Sequence, residues 1–225
     1  MPLDTGASVI DSAFQSVALD ALADDTRCIV VLVDVDGNIL WANRLTERLS
    51  NAAPGSLVGA HSSTILPPNY VEERQAYARE AVDTGTSIVC EGICWGLYRR
   101  TTFRPVPTPP GETPRVLIVC RPKPADEPVC GDTDEAPARR ARHNDLGPLA
   151  GLTERELEVL DLIGRGLSTA EIARHLHRSI KTIEWHRVSL GEKLGATNRV
   201  GLARIAINAG LSNGPLPAPD GPKSP

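Results

Sequence analysis

Long apolar stretches are missing from this sequence. No run approaches about 18 uninterrupted apolar residues, the length typical of a transmembrane helix, so we expect no membrane partner. The N-terminus, MPLDTGASVIDSAF, has no basic start followed by an apolar core, and it does not resemble a signal peptide. We therefore expect a cytoplasmic protein.

Paired cysteine motifs are also missing. The five cysteines, at positions 28, 90, 94, 120 and 130, include no Cys-x-x-Cys pair. Cys90 and Cys94 offer half of a metal site, but no nearby His or Cys completes it. We predict no metal site and interpret the cysteines as buried thiols in a reducing compartment.

The local motifs of common enzymes are absent as well. The sequence has no Gly-x-Ser-x-Gly elbow, no His-Glu-x-x-His pair and no phosphate-cradling Gly loop. His61, Ser62 and Ser63 leave a hydrolytic N-terminal unit as an alternative, although a His beside two serines is far more typical of a loop. We predict no catalytic residues and no enzyme activity.

Positive charge is scarce overall but locally concentrated. The chain has a net charge of -4 and a pI near 5.8. Residues 1–122 carry 10 Lys or Arg against 14 Asp or Glu, a net of -4. Residues 174–193 carry 5 against 2, a net of +3, together with three of the five His. Such a local excess indicates a surface for phosphate groups.

Composition divides the chain into two folded units. Residues 121–148 are rich in Pro, Asp, Glu and Arg and have few large apolar residues, so they cannot bury enough surface to offset their ordering entropy. We predict an N-terminal amphipathic helix (1–22), a folded unit (23–122), a linker (123–148), a second folded unit (149–211) and a disordered tail (212–225).

The first unit alternates strand and helix signals. The segment RCIVVLVDVDGNILWAN consists of a β-branched run, an Asp36-Gly37 turn and a second run, which predicts a hairpin. A helix is expected over residues 70–84, ending near Gly85, and residues 86–122 show three more strands. This order predicts an α+β fold, an antiparallel sheet covered by helices on one side.

Acidic residues in the first unit suggest a competing interpretation. Asp24, Asp25, Asp34 and Lys123 are pieces of a phosphoacceptor receiver, so a two-component response regulator with a degenerate receiver domain is our alternative. However, the acidic pair precedes the first strand, and no helix separates the last strands as a doubly wound fold requires.

The first unit resembles a PAS sensor domain instead. The resemblance is carried by VDVDGNILWAN, with its Asp36-Gly37 turn and Asn43, and by the three closing strands. It implies a cavity between sheet and helices for a small ligand or cofactor, or a dimer surface; the cofactor itself stays unidentified. Ile10, Phe14 and Val17 form a helical stripe that is either a dimer or partner surface or packs on its own domain.

Three helix starts are explicit in the second unit. Thr153 with Glu156, and Ser168 with Glu171, have the spacing of capping boxes. Ser179 is the expected N-cap of a third helix from Ile180 to about Leu194. Two helices joined by a three- or four-residue turn predict a helix-turn-helix, although this turn lacks the frequent Gly.

The third helix is expected to bury one side and expose the other. At 100° per residue, Ile180, Ile183, Leu190 and Leu194 share the buried side. The opposite face and its flanks hold the expected DNA contacts, and Trp185 is a large aromatic at the centre of that face. The predicted contact residues are Lys181, Thr182, Glu184, Trp185, His186, Arg187, Val188 and Lys193.

Residues 149–211 resemble the LuxR-type DNA-binding domain, a four-helix helix-turn-helix. The residues carrying this are LTERELEVLDLIGRGLSTAEIA, IKTIEWHRVSL and EKLGATNRVGLARIAINAGL. The resemblance implies structural roles for Glu156, Leu160 and Gly166, and dimerisation through the last helix, Asn198 to Ala209. It further implies that Lys181, His186 and Lys193 contact the DNA backbone, whereas Glu184, Trp185 and Val188 face bases.

Three positions depart from the family pattern. Glu184 stands where a cation or Thr is frequent, and Gly201 stands where Glu is common and could assist the Asn198 cap. Gly191, inside the third helix, is expected to cost about 1 kcal/mol relative to Ala.

Together these patterns predict a homodimeric, sequence-specific transcription regulator. Its sensor domain is expected to modulate binding of double-stranded DNA by the helix-turn-helix, with RNA polymerase as a further partner.

Overall fold

The computed structural model describes residue 17 and residues 21–123 and 138–211. Ile10 and Phe14 of the predicted apolar stripe, Cys130, and the tail lie outside the described residues, whereas Val17 is helical and exposed. The strands are β1 (Ile29–Asp34), β2 (Ile39–Ala42), β3 (Ile88–Cys94), β4 (Leu97–Val106), β5 (Arg115–Pro122) and β6 (Arg139–Arg140). The α-helices are α1 (Arg44–Leu49), α2 (Pro68–Thr84), α3 (Glu154–Gly164), α4 (Thr169–His175), α5 (Ile180–Leu194) and α6 (Arg199–Asn208).

The N-terminal unit is a sheet with strand order β2-β1-β5-β4-β3-β6. The five strands β1 to β5 pair antiparallel, which confirms the predicted α+β fold. The same pairing excludes the receiver alternative, because a doubly wound receiver needs parallel neighbours.

A tight turn joins β1 to β2 as predicted. The Asp34 carboxylate accepts hydrogen bonds from the backbone N–H of Asp36 (3.0 Å) and Asn38 (2.8 Å). Gly37 has a φ of +92°, and a Cβ there would overlap the side-chain amide of Gln75. Only glycine combines this backbone conformation with so close an approach.

Asn43 is buried because its side chain joins the hairpin to α1. Its Oδ1 accepts from the N–H of Val30 (3.2 Å) and from the N–H of Thr46 (3.2 Å), and its Nδ2 donates to the carbonyl of Cys28 (2.9 Å). It is therefore both the N-cap of α1 and a bridge to β1. This explains the Asn in the sensor-like motif.

The last strand, β6, corrects two predictions. It pairs parallel to β3, so the sheet is mixed, and it lies within residues assigned to a linker. Asn144 Oδ1 accepts from the N–H of Ile93 (2.7 Å), and Asp145 Oδ2 accepts from the N–H of Trp95 (2.9 Å). Polar side chains rather than apolar burial hold residues 138–146 on the sheet edge. Amino-acid composition therefore did not predict that these residues have a defined structure.

Helix α2 covers one face of the sheet and closes its core. Ala78 and Ala81 of α2 are buried in the cluster that contains Phe103, Ile39 and Val116. The helix ends as predicted, with Gly85 at a φ of +67°.

The C-terminal unit contains the four predicted helices around a single core. Both capping boxes are formed, Thr153 with Glu156 and Ser168 with Glu171. The turn between α4 and α5 contains His177 at a φ of +52°, in a turn where helix-turn-helix motifs frequently have Gly. Arg155 of α3 donates to the carbonyl of Leu176 (3.0 Å) and so braces this turn.

The two units touch where the β3–β4 turn meets residues 145–147. The N–H of Gly96 donates to the carbonyl of Asp145 (3.1 Å), and a Cβ on Gly147 would lie 2.8 Å from the carbonyl carbon of Trp95. Past α6, Gly210 lies against the ring of Tyr98. Within the described part of the chain, the structure has no helix with the length and apolar character of a membrane span.

Candidate nucleic-acid interface

Helix α5 packs through one side, largely as expected. Ile183 and Leu190 are completely buried, and Leu194 is half-buried against the same core. Ile180, however, is 52% exposed, which corrects its place on the buried side. It occupies the first helical position, where α5 projects past the core and borders an open concavity with Ala173 of α4.

The opposite side of α5 presents an apolar pair to solvent. Trp185 is 65% exposed and Val188 is 62% exposed. Lys181 and Glu184 beside them are also exposed, and we call these four residues the α5 outer face. A helix with a buried rear and an exposed outer face has the shape and polarity needed to enter a major groove.

His186 is half-buried on the flank of this face. Its ring packs edge-on to Trp185 with centroids 5.2 Å apart, and its Nδ1 is buried without a partner among the described residues. The histidine therefore orients the indole from the side.

Two other predicted contact residues are engaged inside the domain. Thr182 belongs to the helix cap, because its N–H donates to Ser179 Oγ (3.1 Å) and its hydroxyl also contacts that oxygen (2.8 Å). Arg187 donates from Nη1 to Thr169 Oγ1 (2.8 Å) and thereby links α5 to α4.

Lys193 has an intramolecular partner that the sequence did not reveal. Its Nζ lies 2.7 Å from Glu156 Oε2, and Ser189 Oγ donates to the other oxygen of that carboxylate (2.7 Å). Burial disfavours the charged carboxylate, but Lys193, the Thr153 cap and Ser189 outweigh it and lower the pKa of Glu156 to about 2. Glu156 is thus structural, as the family resemblance implied, and Lys193 neutralises it.

Two exposed arginines complete the positive region, and the predicted contacts did not include them. Arg174 in the last turn of α4 and Arg178 in the turn border the same concavity as the N-terminus of α5. Their proximity to Ser179 was the available signal, since helix N-termini attract phosphate and nearby cations reinforce that attraction.

Two of the three departures from the family pattern have local explanations. A Cβ on Gly191 would lie 2.8 Å from the carbonyl oxygen of Ala196, a close contact that helix propensity alone does not take into account. Asn198 caps α6 through the N–H of Gly201 (2.9 Å) without help from a Glu. Glu184 is exposed on the outer face.

The sensor-like unit contains a cavity between the sheet and α2. Its volume is about 80 Å³, and its walls are mainly apolar. His61 lies outside it on a loop, where Nε2 bonds to the carbonyl of Asp36 (2.9 Å) and Nδ1 bonds to Ser63 Oγ (2.7 Å). His61 therefore serves the hairpin and the short 3-10 helix Ser62–Thr64. No group of three potential metal ligands occurs among the described residues.

Comparison with protein families matches both units. Residues 150–206 match the model of bacterial regulatory proteins of the luxR family. Residues 23–122 match a model of the PAS fold. Both matches agree with the resemblances on which the sequence interpretation relied.

Individual curated relatives match over a short part of the chain. Oxygen regulatory protein NreC of Staphylococcus aureus (strain JH9) is 38% identical over 68 residues, which is 30% of this chain and 31% of NreC. The chain therefore spans about a third of the length of the curated relatives it matches.

Solved structures show a looser likeness over more of the chain. A phage VqmA–DPO complex has a TM-score of 0.42 at 20% identity, covering 92% of this chain and 94% of that one. A Vibrio cholerae VqmA dimer without target DNA has a TM-score of 0.38 at 21% identity, covering 86% and 88%.

Proposed function

We propose that the protein is a DNA-binding transcription regulator, because residues 150–206 match the model of the luxR family of bacterial regulatory proteins and residues 23–122 match a model of the PAS fold. In this proposal the PAS unit senses a signal and modulates how the C-terminal unit binds double-stranded DNA. The protein acts in the cytoplasm as a homodimer and adjusts the access or activity of RNA polymerase.

The observation that carries the proposal is the α5 outer face. An exposed Trp185 beside an exposed Val188 is unfavourable in water, and a groove edge lined by thymine methyl groups would cover both side chains. Glu184 is placed to accept a hydrogen bond from a cytosine amino group. These three side chains are the proposed base contacts.

Phosphate contacts are assigned to cations around the N-terminus of α5. Lys181, Arg174 and Arg178 are exposed there, and no ion pair within the described residues engages them. The free N–H groups of the first helical turn add a partial positive charge. Thr182, His186, Arg187 and Lys193 are proposed to position this surface, and Lys193 reaches phosphate only if it leaves Glu156.

A salt titration tests the proposal. With a pool of random-sequence duplexes and the full chain, affinity should fall steeply as salt rises, because each phosphate contact releases counterions and contributes about -0.9 to the slope of log K against log salt. Gel-shift or anisotropy measurements give this slope. Absent binding, or binding that salt leaves unchanged, contradicts the proposal.

Substitutions separate base contacts from phosphate contacts. Trp185→Ala should change which sequences are enriched from the random pool, whereas Arg178→Ala should weaken all sequences about equally and reduce the salt slope by about 1. Selection followed by sequencing, with affinity measured on the enriched duplexes, distinguishes the two effects. If both variants lose affinity without any change in preference, Trp185 does not face bases.

The dimer is assigned to α6. Val200 is 76% exposed and Ile207 is 42% exposed, and seven residues of separation place both on one side of the helix. Val200→Glu should halve the mass measured in solution by light scattering, because a charge in an apolar contact is strongly unfavourable. A dimeric mass that survives this change assigns dimerisation to the PAS unit or to the N-terminal segment instead.

A further inference from the structure

Two arginine side chains in the PAS unit are buried without full hydrogen bonding. Arg74 of α2 is 8% exposed and Arg99 of β4 is 3% exposed. Nε of Arg74 and Nη1 of Arg99 are buried and have no partner among the described residues. A buried guanidinium with an unmade hydrogen bond is unfavourable unless an acceptor is supplied from elsewhere.

Arg99 is the more unusual of the two. Its one hydrogen bond among the described residues runs from Nε to the carbonyl of Cys94 (3.3 Å), and no carboxylate of the described chain pairs with it. Arg74 does pair, through Nη1, with Glu73 (3.0 Å). Of the two buried guanidinium groups, only that of Arg74 therefore has a carboxylate partner among the described residues.

Both arginines adjoin the part of the cavity wall that contains Tyr70 and Cys94, because Arg74 stacks on the Tyr70 ring and Arg99 donates to the carbonyl of Cys94. Arg74 lines the cavity directly. Side-chain alternation along β4 places Arg99 on the face of Thr101 and Phe103, which both line the cavity. Cys120 pairs with Thr101 across the sheet, and its sulfur lies among these groups.

The positive charges of the two arginines affect the pKa of the Cys120 thiol. Its pKa is lowered to about 7, first by a hydrogen bond from Cys94 and then, against the effect of burial, by the positive charges of Arg99 and Arg74. The positive charges of both arginines thus act on this part of the cavity wall.

The rest of the cavity is apolar and small. Ile29, Val31, Val33 and Ile118 line it. Its volume of about 80 Å³ is smaller than the roughly 150 Å³ of an apolar protein cavity that holds benzene. A molecule that fits has a short aliphatic chain rather than an aromatic ring.

We propose that this cavity binds a short-chain aliphatic monocarboxylate, with its carboxylate between Arg74 and Arg99 and its chain against the apolar strands. The carboxylate supplies the acceptors that Nε of Arg74 and Nη1 of Arg99 lack, and a guanidinium favours this planar partner. The regulatory role of this binding site rests on the proposed function, and the proposal adds to that function the chemical class of the signal.

A path for the signal begins at Arg74. Its partner Glu73 accepts hydrogen bonds from the backbone N–H of Arg142 and of His143, both at 2.9 Å. The chain runs from these residues to Asp145, whose carboxylate accepts a hydrogen bond from the N–H of Trp95 in the β3–β4 turn, next to the C-terminal unit. A ligand that competes with Glu73 for Arg74 therefore changes how the connecting segment is held.

Binding is tested on the full chain with butyrate and with butyramide, its neutral counterpart of nearly the same shape. Calorimetry and the NMR shifts of labelled Ile methyl groups should show saturable butyrate binding at least tenfold tighter than butyramide binding. Equal affinities, or no saturable binding of butyrate in the tens of millimolar range, overturn the proposal.

Substitutions locate the site. Arg99→Met and Arg74→Met should each weaken butyrate at least tenfold and leave butyramide nearly unchanged, whereas Arg104→Met, on the opposite face of the same strand, should bind butyrate as the wild type does. Arg99→Lys keeps the charge without the planar fork, and it should show an intermediate loss if the Met variant does not fold. Unchanged butyrate affinity in a folded Arg99→Met or Arg99→Lys variant overturns the proposal.

The regulatory step is tested separately from the DNA-binding proposal. Butyrate should shift the DNA affinity of the wild type at least threefold and have no effect on the Arg74→Met variant. Specific butyrate binding without any DNA binding supports the site and contradicts the proposed function. DNA binding that is intact but insensitive to bound butyrate overturns the regulatory step.

Discussion

At the scale of a single residue, Glu156 ties three segments of the C-terminal unit together. It completes the capping box at the start of α3, and it accepts hydrogen bonds from Ser189 and Lys193 of α5. The cap is local and could be predicted from residue spacing. The contacts with α5 are made 33 and 37 residues away, and only packing brings them together.

Acid should therefore destabilise the C-terminal unit. The pKa of Glu156 is about 2 in the folded protein against an ordinary value of 4.5, so its contribution is present above about pH 4.5 and is lost as pH falls toward 2. A shift of this size corresponds to about 3 kcal/mol. Urea unfolding monitored by the helical circular dichroism signal at pH 7 and pH 3 measures the loss.

The control for this prediction is Glu156→Gln. It should lower the free energy of unfolding at pH 7 by about 1–3 kcal/mol and flatten its dependence on pH. A variant as stable as the wild type at pH 7, or as acid-sensitive, assigns the pH dependence to another group.

At the scale of elements, the ends of the helices set where the α5 outer face lies. Ser179 begins α5 through the N–H of Thr182, and Gly195 ends it at a φ of +65°. The N–H of Ala196 also turns back to the carbonyl of Gly191 (3.0 Å). The chain therefore passes so close to Gly191 that a side chain has no room.

Gly191→Ala should destabilise the protein, although helix propensity alone favours alanine by about 1 kcal/mol. The new methyl group would meet the carbonyl oxygen of Ala196 at 2.8 Å, and overpacking of this kind costs about 1–3 kcal/mol. Thermal unfolding compares it with Glu192→Ala, an exposed neighbour in the same helix, which should be nearly neutral. A gain in stability for Gly191→Ala means that the turn after α5 moves freely.

At the scale of the whole molecule, two glycines allow the units to approach each other. Gly147 lies against the backbone of Trp95 and Gly96, and Gly210 lies against the ring of Tyr98. The β3–β4 turn and the start of β4 are therefore the parts of the PAS unit that contact residues at both ends of the C-terminal unit. The C-terminal unit is therefore in direct contact with this part of the sheet.

Gly210→Ala should loosen this contact while leaving each unit folded. A Cβ at this position would lie 2.8–2.9 Å from atoms of Tyr98, and the positive φ of +69° adds backbone strain. Calorimetry should resolve unfolding into two transitions where the wild type shows coupled unfolding. Gly151→Ala, at a position with open space around it, is the matched control and should keep the wild-type profile.

Much of the local structure could be predicted from residue order. The hairpin around Asp36-Gly37, the helix ending at Gly85 and the starts of α3, α4 and α5 depend on neighbours within a few positions, and the structure contains them all. The burial of Ile183 opposite an exposed Trp185 also follows from helical periodicity. Helical periodicity indicates which side of the helix a residue occupies but not how deeply it is buried. The predicted burial of Ile180 was therefore wrong.

The sequence was sufficient to predict those elements that are stabilised by short-range hydrogen bonds or by a periodic repeat of apolar residues. Contacts between distant segments needed the folded chain: the Lys193–Glu156 pair, the strand at Arg139–Arg140 and the cavity beside Arg74. In each of these, polar groups far apart in sequence either form hydrogen bonds or ion pairs with one another or are left without a partner. Their energies depend on distance and burial, which no local pattern encodes.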